Sequence, residues 1–115
     1  MSAVRELHER AMELAQAALL ERESGNDVRA IELVKEAAPL ELMAAERLPK
    51  TRESEPTRSI LFRSAAALAL QAQDFETAER LVYDGLAGFP PPSVRQELLE
   101  LREQILQAMP IPDVS

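Results

Sequence analysis

A chain of 115 residues with no cysteine has the length of one domain, and it excludes disulfide frameworks, thiolate metal sites and cysteine nucleophiles. Its 46% apolar and 29% charged residues, with only 3 glycines, belong to a folded helical protein rather than a disordered one. Thirteen Lys and Arg against 20 Asp and Glu give a net charge of −7, which repels phosphate backbones and anionic lipid, so neither a nucleic acid nor a membrane is expected as a partner.

From Ser2 to Ser24 the apolar residues Val4, Leu7, Ala11, Leu14, Ala18 and Leu19 recur every three or four positions, which predicts an amphipathic helix. Gly25 ends it, because a glycine tolerates the left-handed backbone that follows a helix. Asn26 or Asp27 can then cap the next one. A second helix follows with Val28, Ile31, Val34, Ala38, Leu42, Ala45 and Leu48 in register. Pro39 removes one backbone donor within it, but the apolar phase is kept, so a single kinked helix is expected.

Residues Pro49 to Glu55 carry no apolar side chain except the proline and read as a linker. Pro56 suits the start of a third helix running to about Ala72, with Ile60, Leu61, Ala65, Leu68 and Ala69 buried. Its many alanines allow a neighbouring helix close approach. Asp74 caps a fourth helix carrying Phe75, Ala78, Leu81, Val82 and Leu86, which Gly88 and Pro90, Pro91 and Pro92 stop. Ser93 with Gln96 fits a capping box for a fifth helix, with Val94, Leu98, Leu101, Ile105 and Leu106 on one side and charged residues on the other. Connections of two or three residues at Gly25 and Asp74 force hairpins. The fold expected is all-α: a five-helix antiparallel hairpin array in one domain over residues 1–109, followed by an extended tail over 110–115.

Little in this inventory supports chemistry. His8 is the only imidazole, and a carboxylate-bridged dimetal bundle needs two Glu-x-x-His motifs, whereas residue 5 is Arg. Glu9 with Glu13, and Glu97 with Glu100 and Glu103, share helix faces with Arg10, Arg95 and Arg102 and read as solvated salt-bridged surfaces. Phosphate loops, nucleophile elbows and His-Glu-x-x-His motifs are missing. The expectation is therefore no catalysis, no cofactor and no metal, with an enzyme or metal protein built on His8 and nearby carboxylates as the remote alternative. Arg47, Lys50, Arg52, Arg58 and Arg63 reverse the local sign of charge. They read either as a docking strip for an acidic segment or as a solvated linker, and they have no interleaved aromatic residues for nucleobases to stack on.

The segment Gly25-Asn26-Asp27-Val28-Arg29-Ala30 aligns with Gln73-Asp74-Phe75-Glu76-Thr77-Ala78. With Phe62, Ala66, Asp74, Phe75, Ala78 and Pro90 in the second unit, and Gly25, Ala30 and Ala37 in the first, the chain resembles the tetratricopeptide repeat family over about residues 11 to 92. The interval from Ala30 to Ala78 exceeds the roughly 34 residues of a tandem repeat, and Gly85 stands where the counterpart of Ala37 is expected. The resemblance implies two degenerate repeats and a C-terminal capping helix, with a concave binding surface on the first helix of each hairpin. That surface would present Met12, Ala15, Gln16, Leu19 and Glu23, then Ile60, Arg63, Ser64, Ala67 and Gln71. Family members that clamp a terminal carboxylate use Lys, Asn and Arg there; Ala15 and Leu19 occupy two of those places, so an amphipathic helix or extended peptide fits better. What the resemblance implies is a non-catalytic interaction module or adaptor whose partner is a protein or peptide segment. The rival reading is a homo-dimer or larger homo-oligomer, in which Met12 and Leu19 pack in a core or against a second copy. The absence of any long apolar run, and a charged start from Arg5 onward, point to a cytoplasmic protein without a secretory signal.

Overall fold

The computed structural model describes residues 2–110; the extended tail expected from 110 onward therefore lies outside the described residues except for Pro110. Helix α1 spans Ala3–Glu23, α2 Asp27–Glu46, α3 Thr57–Gln71, α4 Phe75–Leu86 and α5 Pro92–Ala108, with a single 3-10 turn at Arg52–Ser54. Among the described residues there is no strand. The architecture is the all-α hairpin array that the apolar spacing predicts.

Both tight hairpin turns use the same hydrogen-bond pattern. After α1, Gly25 sits at φ 84, its N–H donates to the Arg22 carbonyl at 3.0 Å, and the Asn26 N–H reaches back to the Glu21 carbonyl at 2.8 Å. After α3, Gln73 sits at φ 65, with its N–H on the Leu70 carbonyl and that of Asp74 on the Ala69 carbonyl, both at 2.9 Å. These are two Schellman caps, which satisfy carbonyls that a helix end would otherwise leave bare. The two turns aligned in the sequence are thus equivalent in backbone structure. Their caps differ on the other side. Asp74 Oδ1 accepts from the Thr77 N–H at 3.4 Å, whereas the Asn26 amide turns back and donates to Glu21 Oε2 at 2.8 Å, leaving α2 without a side-chain cap.

Helix α2 runs unbroken through Pro39. Packing on both sides holds it: Leu33, Val34 and Ala37 precede the proline and Ala44 and Ala45 follow it in buried positions. Adjacent helices pack α1 on α2, α2 on α3, α3 on α4 and α4 on α5, and α3 also meets α5. The shortest molecular extent is 20 Å against 43 and 39 Å, two helix diameters of about 10 Å each. Helices α1, α3 and α5 form one layer, and α2 and α4 the other. Ala30 and Ala78 are both buried where the second helix of each pair crosses the first. Gly85 brings α4 equally close, since a Cβ there would lie 3.1 Å from Phe62 Cβ and 3.2 Å from a Leu98 methyl.

Three sequence expectations are corrected. The α5 capping box does not form: the helix starts at Pro92, Ser93 lies inside its first turn, and Gln96 Nε2 bonds to Glu100 instead, because Pro91 already enters extended and sets the N-terminus. Val28 is 77% exposed, because the buried stripe of α2 is phased on Ala30, Leu33, Val34 and Ala37. Leu19, expected in the α1 stripe, is 42% exposed, and Leu99 and Leu106 are exposed on α5. The 49–55 segment is a linker, as expected, and it is pinned: Glu55 accepts from the Ser59 and Phe89 N–H groups at 3.0 Å each, and Arg52 lies 4.6 Å above the Phe89 ring.

Candidate functional site

Because α1 and α3 occupy one layer without packing closely, a furrow opens between them. At their N-terminal ends it is a hollow of about 390 Å³ lined by Ser2, Val4, Arg5 and His8 of α1 and Thr57, Ile60 and Leu61 of α3. At their C-terminal ends Met12, Ala15, Gln16, Leu19 and Arg22 face Gln71 across about 340 Å³, and Arg22 Nη2 donates to Gln71 Oε1 at 3.3 Å. Start meets start and end meets end, so the two helices run parallel. His8, Met12 and Gln16 also line an open stretch of the α1 surface with Glu9 and Glu13, to which α3 contributes no residue.

Most residues expected on the concave surface do converge here. Met12, Gln16, Leu19 and Gln71 share the C-terminal hollow, and Ile60 lines the N-terminal one. Arg63, Ser64 and Ala67 do not join them. They line a second furrow between α3 and α5 with Glu97, Glu100 and Gln104, where Arg63 is bonded to Glu97 at 2.6 Å. Glu23 is exposed at the end of α1 and lines neither furrow.

The suspected cationic strip is dismantled by the fold. Arg58 is buried, with its guanidinium 4.6 Å above the Phe62 ring and Nη1 donating to the Asp84 carbonyl at 3.2 Å. Arg52 is spent on Phe89 and Arg63 on Glu97, leaving Arg47 and Lys50 exposed at the α2 end. Three of the five charges thus hold the chain's own elements together, chiefly the 52–58 segment against the α4–α5 junction.

His8 is not a simple surface residue. Its Nδ1 lies 2.9 and 3.0 Å from the two oxygens of Glu41, whose side chain is 0% exposed while that of His8 is 41% exposed. With the carboxylate ionised, Nδ1–H donates and Nε2 is left on the open side of the ring. Sequence reasoning missed Glu41, although two signals were present. It interrupts the apolar register between Ala37 and Ala45, and in an antiparallel hairpin turning at Gly25 it stands about as far after the turn as His8 stands before it. Among the described residues no trio of His, Asp and Glu converges as a metal site, and no helix is long and apolar enough to cross a membrane.

Fold and furrow define a class: a two-layer array of helical hairpins whose first helices flank an open, partly apolar channel. No protein-family model, curated protein or solved structure matches the chain.

Proposed function

We propose that this chain is a non-catalytic, tetratricopeptide-like interaction module that docks a segment of a partner protein in the α1–α3 furrow. The observation that carries the reading is the convergence of Met12, Gln16, Leu19 and Gln71, from two helices far apart in sequence, on one channel whose largest exposed apolar side chain, Leu19, is 42% open to solvent. Grooves of this mixed character accept an amphipathic helix or an extended strand. A cytoplasmic setting accords with a chain that has no cysteine to oxidise. The test is a comparison of wild type with the double variant Leu19→Asp, Gln16→Arg, both exposed positions, as tagged baits in the native cells. A partner held by wild type and lost by the variant at unchanged melting temperature supports docking in the furrow. Retention of every partner by the variant refutes it.

A second reading, self-association, is favoured by Leu99 and Leu106, which are exposed two helical turns apart on α5. Sedimentation over a range of concentrations decides it: a dimer abolished by Leu106→Glu supports this reading, and a monomer at all concentrations removes it.

A further inference from the structure

The N-terminal hollow of the furrow is chemically unlike the rest of the surface. In a chain of net charge −7, no exposed carboxylate lines it. Its polar rim is Arg5, His8 and Thr57, and its floor is Val4, Ile60 and Leu61. The Arg5 guanidinium makes no hydrogen bond or ion pair among the described residues, and only its backbone N–H is used, on Ser2 Oγ at 3.4 Å. His8 is held by Glu41 through Nδ1, which orients the ring, and its Nε2 makes no hydrogen bond among the described residues. The Thr57 hydroxyl is likewise without a bond to the chain.

We infer that this hollow receives an internal acidic side chain, Glu or Asp, flanked by branched apolar residues in the docked partner segment. The inference rests on the docking reading above and specifies its partner. Charge complementarity selects an anion: Arg5 supplies a planar fork for a carboxylate and Thr57 a hydroxyl donor. Arg5 carries the one guanidinium among the lining residues, which matches a monoanion better than a phosphate dianion. The apolar floor accounts for the flanking residues. Continuity along α1 accounts for an internal position: His8 lines both this hollow and the open α1 face that runs on to Met12 and Gln16, so a segment lying along α1 passes through the hollow rather than ending in it.

The probe is the short peptide acetyl-Ala-Leu-Glu-Leu-Ala-amide, compared with its Gln counterpart and with the Gln peptide bearing a free terminal carboxylate, each titrated into the full chain by NMR. The expected result is that the Glu peptide perturbs Val4, His8 and Ile60. Arg5→Gln should weaken it by about tenfold, the loss of one charge-assisted hydrogen bond pair. Arg10→Gln removes the same charge from an exposed site outside the hollow and should leave binding unchanged. Arg5 is exposed and its side chain is unbonded, so the substitution leaves the fold intact. Equal binding of the Glu and Gln peptides at these signals overturns the acidic specificity while leaving docking in place. Tighter binding of the free-carboxylate peptide overturns the internal position. No perturbation by any peptide overturns the inference, and docking itself is then judged separately by the Leu19→Asp, Gln16→Arg comparison.

Discussion

Removing the His8 imidazole should unsettle the α1–α2 hairpin more than removing the charge it holds. The Glu41 carboxylate is fully enclosed, and among the described residues Nδ1 of His8, at 2.9 and 3.0 Å, is the only group bonded to it. In His8→Ala that carboxylate loses its partner while still buried. Breaking a buried pair from one side costs about 3–5 kcal/mol. The imidazole is 41% exposed, however, so water enters the space it leaves, and a loss of about 2 kcal/mol is the sounder figure. Glu41→Gln behaves differently. The amide has the same shape and its carbonyl still accepts from Nδ1–H, while its NH2 group, enclosed without an acceptor among the described residues, sets the cost at about 1 kcal/mol. Replacing both groups by apolar ones, His8→Leu with Glu41→Met, should return stability to within about 1 kcal/mol of wild type. Urea unfolding followed by far-ultraviolet circular dichroism measures all four proteins, and His8→Ala should lower the melting temperature by roughly 10 °C. If Glu41→Gln is as damaging as His8→Ala, or if the double variant shows the sum of two losses, the pair is not the clasp described here.

Two further outcomes follow from backbone geometry and packing. Gln73→Gly should stabilise by about 1 kcal/mol, because φ 65 strains any residue with a Cβ, and Gly25→Ala should destabilise by a similar amount at φ 84 even though nothing lies within 4 Å of the added carbon. Thermal melts of the two variants should move in opposite directions. Gly85→Val should cost about 3 kcal/mol in urea, since its Cβ would meet Phe62 Cβ at 3.1 Å and the Leu98 methyls at 3.2 and 3.3 Å with little freedom to yield.

What could and could not be read from the chain divides along a physical line. Features decided within a few residues were legible: the hairpin turn at Gly25, the Asp74 cap, and the buried alanines at the crossings. Features decided by which face is covered were not. Arg58 looks like a solvated charge in a polar linker, yet it lies buried over Phe62 because the pinned 52–58 segment folds against the α4–α5 junction. Val28 matches the period of a buried stripe, but alanines at 30, 37, 38, 44 and 45 let that stripe be drawn in more than one phase, and the small side chains gave no volume by which to choose. The candidate site falls on the same line. Met12, Gln16 and Leu19 of α1 and Gln71 of α3 line one hollow, whereas Arg63 and Ser64 went to the neighbouring furrow because α5 docks beside α3 and Glu97 captures the guanidinium. It follows that the two furrows flanking α3 differ in what they can bind. The α3–α5 furrow has its central cation already neutralised from within, while in the α1–α3 furrow Arg5 has no side-chain partner among the described residues and Leu19 is exposed near its foot. On the docking proposal, a segment that engages both Arg5 and Leu19 presents a negative charge and an apolar side chain separated by about the distance from the first turn of α1 to its fifth, roughly 20 Å at 1.5 Å per residue.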